Sequence, residues 1–154
     1  MAASGYHIAQ VNIARVRAPV DSPELADFVA LLDPINAIAD ASPGFVWRLQ
    51  TEDGNATALR VFGKDDMLVN MSVWKDVTSL RAFVYETRHL GVFKRRNEWF
   101  HPLGEAHLAL WWIPAGYTPT VADAEERIMH LRAHSPTPFA FTFTAVFEPS
   151  GVAT

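Results

Sequence analysis

An α+β fold, an antiparallel sheet with helices packed on one face, is what this sequence predicts, on three observations. Residues 67–74, MLVNMSVW, alternate with a period of two: Met67, Val69, Met71 and Val73 on one side, Leu68, Asn70, Ser72 and Trp74 on the other. Strand-like and helix-like segments follow one another as strand, helix, strand, strand, helix, strand, helix, strand, which mixes hairpins with crossing helices. At 154 residues and 49% hydrophobic content, the chain can fill a core without disulfides or a structural metal.

Residues 6–17 alternate as a first strand, with His7, Ala9, Val11 and Ile13 opposite Tyr6, Ile8, Gln10 and Asn12. Pro19 ends it. Asp21 or Ser22 then caps a helix with Pro23 in its first turn, and Leu25, Phe28, Leu32, Ile35 and Ala39 keep helical spacing to about Ala41. Pro34 lies inside and should kink or split this helix. Residues 44–50 read as a strand, residues 52–55 as a turn, and residues 58–62 as strand or loop. After the alternating strand, a helix from about Val77 buries Leu80, Phe83, Val84 and Thr87. Gly91 weakens the pattern, and a second helical piece carries Phe93, Arg96 and Phe100 on one face. Residues 107–113 form a strand stopped by Pro114. Thr120 with Asp123 resembles a capping box before a helix striped by Val121, Ala124, Ile128 and Leu131, and residues 139–147 alternate as a last strand. The core spans about residues 6–147, with a flexible tail from Pro149, in one domain covering residues 1–154.

The first six elements follow the ferredoxin-like order. The apolar face of the third strand should pack on Leu25, Phe28, Leu32, Leu80 and Phe83. The bare second face would then carry Trp47 or Arg48, Trp74, and Trp111 or Trp112. A single copy would leave these rings in water, so two sheets are expected to pair face to face as a homodimer.

Composition excludes several classes. There are 0 cysteines, which removes disulfide scaffolds, thiolate nucleophiles and Cys-ligated metals. The net charge of −4 argues against nucleic acid as a partner. No apolar run approaches a membrane span and the N-terminus does not read as a signal peptide, so the expectation is a cytoplasmic protein. There is no P-loop, GxGxxG or GxSxG motif.

The blocks GFVWRL (44–49), NMSVW (70–74), LRAFVYETRH (80–89), RRNEWF (95–100), LWWIPAG (110–116) and LRAHSPTPFAFTF (131–143) resemble the bacterial domain-of-unknown-function family 3291. That resemblance implies membership of the antibiotic-biosynthesis-monooxygenase-like superfamily, whose members form a dimeric α/β barrel. The wider group includes cofactor-free monooxygenases, haem-degrading enzymes, chlorite dismutase-like haem proteins, isomerases and cyclases. No catalytic residue is carried over by a matching motif.

Candidate residues come from the chain itself. His89 shares helical spacing with Phe93, Arg96 and Phe100, and an imidazole near a guanidinium resists protonation. It could serve as a catalytic base, as a haem ligand by analogy, or simply as a packed histidine. Arg48, Arg95 and Arg96 could grip an anionic group. Arg95 lies off the apolar stripe, and pairing with Glu98 or Glu86 is its competing role. Asn36, Asn70 and Ser72 could orient a ligand, or Asn70 and Ser72 could bond across the sheet to Gln10 and Asn12. Trp74 and Trp99 complete the substrate-binding set with Asn36, Arg48, Asn70 and Arg96. His101, Glu105 and His107 have metal-binding types without a ligating spacing, so no metal is expected, and His130 with His134 suits a helix end.

The leading expectation is a dimeric barrel that binds a small aromatic molecule in secondary metabolism or detoxification. If it is an enzyme, it would be a cofactor-independent monooxygenase, or cyclase- or isomerase-like, with no cofactor. The alternatives are a haem protein using His89, and a non-catalytic ligand-binding or structural dimer.

Overall fold

The computed structural model describes residues 5–52, 54–57, 59–90 and 92–149, and of His89, Val92 and Phe93 the backbone only. Five strands and four α-helices are laid out along these residues: β1 Tyr6–Val16, α1 Ala26–Ala41, β2 Phe45–Arg48, β3 Met67–Trp74, α2 Val77–Thr87, α3 Val92–Trp99, β4 Phe100–His101, β5 Leu108–Pro114 and α4 Val121–His134. All pairings are antiparallel. The sheet runs β2-β3-β1, and β1 then pairs with β5 along residues 6–12 and with β4 at Arg15 and Val16. This is the ferredoxin-like order, extended by α4.

Local chemistry sets the boundaries. A short 3-10 turn, Pro23–Leu25, follows Ser22 and leads directly into α1. Pro34 does not split α1, which is assigned as one helix of 16 residues. Pro34 is exposed, so water can serve the Ala30 carbonyl that the proline leaves without a donor. Asp76 caps α2 by accepting from Ser79 N. Thr120 and Asp123 form the expected capping box at the start of α4. Gly44 enters β2 at φ +83°, where a Cβ would collide with the Ser79 side chain.

The two faces of the sheet are covered by different parts of the chain, and the expected assignment of faces is reversed. Met67, Val69, Met71 and Val73 share one core cluster with Ala9, Val11 and Ile13 of β1 and Ala109, Trp111 and Ile113 of β5. Their cover is Ala124, Ile128 and Leu131 of α4, not α1 and α2. Val61 joins this cluster, and Phe62 N donates to Glu125 Oε2 at 2.6 Å, tying the 49–66 connection to α4. Leu68 and Trp74 point the other way. They meet Leu25, Phe28 and Leu31, and Ala39, Leu80 and Phe83, from the segments 23–41 and 77–87.

The face expected to stay bare is therefore covered within one chain. Trp74 and Trp111 are 0% and 1% exposed, and the exposed rings that motivated a sheet-to-sheet homodimer are absent from this arrangement. Period two separates two faces but does not say which layer each one meets.

The last expected strand is also different. Residues 139–147 form turns and isolated bridges, Leu110 to Phe141 and Thr142 to Ala145. Pro149 is buried, and the rest of the expected flexible tail lies outside the described residues. Among the described residues no helix is long and apolar enough to cross a membrane.

Candidate functional site

On the face toward α1–α3, two apolar clusters are separated by a polar strip. One cluster holds Trp74 with Ile8, Leu80, Leu110 and Phe141; the other holds Trp99 with Val16, Leu25 and Leu68. Between them lie Gln10, Asn12, Asn70 and Ser72. Asn12 and Asn70 are cross-strand partners on the two central strands, yet both are exposed. Solvent reaches the middle of a sheet only where the covering layer stands away from it. α1 fits this: Phe28 meets one cluster and Ala39 the other, while Leu32, Ile35 and Asn36 between them are only half-buried.

The strip has a fixed hydrogen-bond direction. Gln10 Nε2 donates to Asn70 Oδ1 at 2.9 Å and to Ser72 Oγ at 2.8 Å. Trp74 Nε1 donates to the same Ser72 Oγ at 2.8 Å. A hydroxyl has two lone pairs and one proton. With both lone pairs engaged, the Ser72 proton is what remains to be given. The Asn70 carbonyl accepts from Gln10, and its NH₂ has no partner among the described residues. The strip therefore offers the Ser72 hydroxyl and the Asn70 NH₂ as donors, beside the exposed Asn12 amide, which can donate or accept. Trp74 itself is immobilised, stacked on Phe83 at 4.9 Å and edge-on to Phe45 at 5.4 Å.

Asn70, Trp74 and the half-buried Asn36 belong to this face. Arg48 also belongs to it, opposite Ser72. Its guanidinium is only 12% exposed and is committed elsewhere: Nε and Nη2 grip the two Asp40 oxygens at 2.8 and 3.2 Å, and Nη1 donates to Gly54 O at 2.7 Å. It fastens the end of α1 to β2 rather than reaching for a ligand.

Trp99 is buried among Phe28 and Phe100, with Arg95 over its ring at 4.8 Å. Arg95 pairs with Glu98 at 2.9 Å and Asp27 at 3.1 Å, the pairing role set against anion binding in the sequence. Its pKa is raised by those carboxylates, and that of Glu98 is lowered by the same bond.

The spacing that joined His89, Arg96 and Phe100 does not hold. His89 lies in a 3-10 turn, Arg88–Leu90; Arg96 is exposed on α3; Phe100 begins β4. Three elements replace the one helical run assumed. The His89 and Phe93 side chains lie outside the described residues.

Elsewhere, Glu105 faces Arg132 at 3.5 Å, and His107 Nδ1 lies 3.3 Å from the Glu105 carbonyl. Among the described residues no group of three metal-ligating side chains comes together. His130 and His134 lie ring to ring at 4.6 Å, and His130 Nε2 is 2.7 Å from Thr137 Oγ1. Burial first, then the neighbouring His134 and Arg127, lowers the His130 pKa.

Sequence reasoning missed Arg127, which walls two hollows of about 240 and 390 Å³ beside α4. The available signal was its position immediately before Ile128 of the buried stripe.

No curated protein matches the chain. Among solved structures it is similar to SnoaB, a cofactor-independent oxygenase from Streptomyces nogalater, at 22% identity over 73% of this chain and 95% of that one, with a TM-score of 0.46. A conserved protein from Methanosarcina mazei Go1 is similar at 15% identity over 72% and 94% of the two chains, with a TM-score of 0.49. A protein from Nitrosomonas europaea whose description proposes an antibiotic biosynthesis monooxygenase is similar at 13% identity over 78% and 100%, with a TM-score of 0.48. These are likenesses of fold. The family model described as "Domain of unknown function (DUF3291)" matches residues 7–154, nearly the whole sequence, and the chain belongs to that family.

Proposed function

We propose that the cleft between the sheet and α1–α3 binds a small aromatic molecule through a phenolate or carbonyl oxygen. The supporting observation is the direction of the polar strip. Gln10 and Trp74 occupy the Ser72 lone pairs, so Ser72 and Asn70 meet a ligand as donors. Donors arranged before the ligand arrives stabilise an oxyanion and lower the pKa of a phenol that binds there. Half-buried Phe28 and Phe83, backed by the buried rings of Trp99 and Trp74, offer apolar surface on either side for a flat molecule.

The reaction this favours is cofactor-independent oxygenation. An electron-rich phenolate supplies its own electrons to O₂, so the protein has only to stabilise the anion and limit access of water. Asn36, half-buried on α1, is the proposed orienting group, and His89 is the proposed base. Phenolate formation is the diagnostic step.

Titrating the protein into an electron-rich polycyclic phenol should shift its absorption to that of the phenolate, and oxygen electrode traces should show uptake without added cofactor. Ser72→Ala and Asn70→Ala should each weaken the spectral shift. Binding with no shift would leave a ligand-binding protein without this chemistry. A Soret band on haem titration, lost in His89→Ala, would move the assignment to a haem protein.

A further inference from the structure

We propose a second, separate ligand site at Arg127, on the α4 side of the sheet, for a single-ring aromatic monocarboxylate. It does not rest on the cleft reading. The Arg127 Nη1 donates to Phe139 O at 2.7 Å. Its Nε is buried with no partner, and among the described residues the guanidinium joins no ion pair. Its Nη2 has no hydrogen bond there either, and it is not among the buried atoms, so it is open to a ligand. Burial of this cation is opposed by the charges of Glu126 and Asp123, neither of which is in an ion pair with it, and a bound carboxylate would add the direct contact.

The group is also held in place before any ligand arrives. The Phe139 ring lies 3.7 Å from the guanidinium carbon and the Trp111 ring 5.6 Å from it. With Nε buried and Nη1 donating to Phe139 O, the fixed guanidinium presents Nη2 to a carboxylate.

The rest of the wall selects the class. The hollow of about 240 Å³ is bordered by Trp111, Pro114 and Tyr117, together with Asp123 and Arg127, while the Trp112 ring packs on the opposite face of the sheet. That volume is smaller than the cavities that take drug-sized ligands, and fits one ring. Asp123 accounts for the single charge. Its Oδ2 accepts from Tyr117 OH at 2.6 Å and Thr120 N at 3.0 Å. Burial opposes its ionisation, but these hydrogen bonds outweigh burial and hold its carboxyl below the ordinary value. A fixed negative charge beside the hollow disfavours a dianion and leaves room for one carboxylate on Arg127.

The test uses benzoate as the probe and the full chain. The indole N–H resonance should move for Trp111 and stay still for Trp74, Trp99 and Trp112, with saturable binding in calorimetry. Benzamide, the same ring without the charge, should bind at least tenfold more weakly. Arg127→Gln should lose at least tenfold in benzoate affinity, while Asn70→Ala, on the other face, should leave it unchanged. Three results overturn the proposal: no saturable binding, movement of Trp74, Trp99 or Trp112 in place of Trp111, or equal affinity for benzoate and benzamide. If Arg127→Gln does not fold, Arg127→Lys keeps the charge but loses the planar group held between the Phe139 and Trp111 rings. It should bind less tightly than the parent, and equal affinity would also overturn the proposal.

Discussion

The two faces of one sheet differ more from each other than their shared strands suggest. Toward α4, every inward residue of β3 is apolar and buried, and α4 carries three buried residues, Ala124, Ile128 and Leu131. Toward α1–α3, two central-strand asparagines reach solvent, and α1, although 16 residues long, buries only Ala39. One face is a closed core and the other is two apolar clusters with a polar gap. Close packing contributes stability. A gap lined by satisfied polar groups contributes little of it, and is where a fold of this kind has room for a ligand.

Neighbouring residues of β3 offer the sharpest contrast. Val69→Asp places an unpaired charge at a position 3% exposed, and should cost about 4 kcal/mol or more, enough to prevent folding. Asn70→Asp, one residue on, still accepts from Gln10 and sits in solvent. It should shift stability by no more than about 0.5 kcal/mol. Circular dichroism and melting curves of the pair would break the comparison if both variants behaved alike.

A gentler version uses the covering helices. Ile128→Ala, at 0% exposure, should cost about 2–5 kcal/mol in denaturant titration. Leu32→Ala, half-buried over the gap, should cost roughly 1 kcal/mol. Equal losses would mean that α1 is as tightly seated as α4.

The local elements of both faces were legible in the sequence, and the layers that cover them were not. The alternation of β3, the capping box at Thr120 and the ferredoxin-like order all depend on local spacing, which sequence displays directly. The identity of the layer over Met71 depends on where α4 and the 49–66 connection return, and no local period encodes a return path. The Arg48–Asp40 pair shows the same limit. An arginine on a strand reads as available until the end of α1 brings a carboxylate to it. Residues 139–147 fail for a related reason. Their alternation is suited to a strand, but a ladder needs a partner along its whole length, and β5 supplies one bridge, at Leu110.

Within the polar strip, Ser72→Ala leaves the donors of Gln10 and Trp74 without their common acceptor. The expected cost is about 1–3 kcal/mol, with a change in Trp74 fluorescence as its indole N–H seeks water. A neutral result would mean that water already serves these groups.

The smallest effect is on the α4 side. His130 has a pKa below its ordinary 6.5, chiefly from burial, so the unfolded chain binds the proton more readily than the folded one. Stability should therefore fall as pH drops below about 6.5, and level off once the folded state is protonated as well. Melting temperatures against pH, compared with His130→Gln, should show this slope in the parent and a flatter one in the variant.

The segment after Ser135 bears on the exposure of the β5 edge. Leu110 and Phe141 exchange backbone hydrogen bonds at 2.8 and 2.9 Å, and Trp112 Nε1 holds the Phe147 carbonyl at 2.8 Å. This segment lies along the free edge of β5, the kind of unpaired strand that recruits other chains into intermolecular sheets. During synthesis the edge exists before its cover does, because β5 leaves the ribosome ahead of the residues that shield it. Molecules cut short after α4 would keep most of the core yet carry an open strand. Their characteristic fault would be insolubility at concentration rather than a lowered melting point.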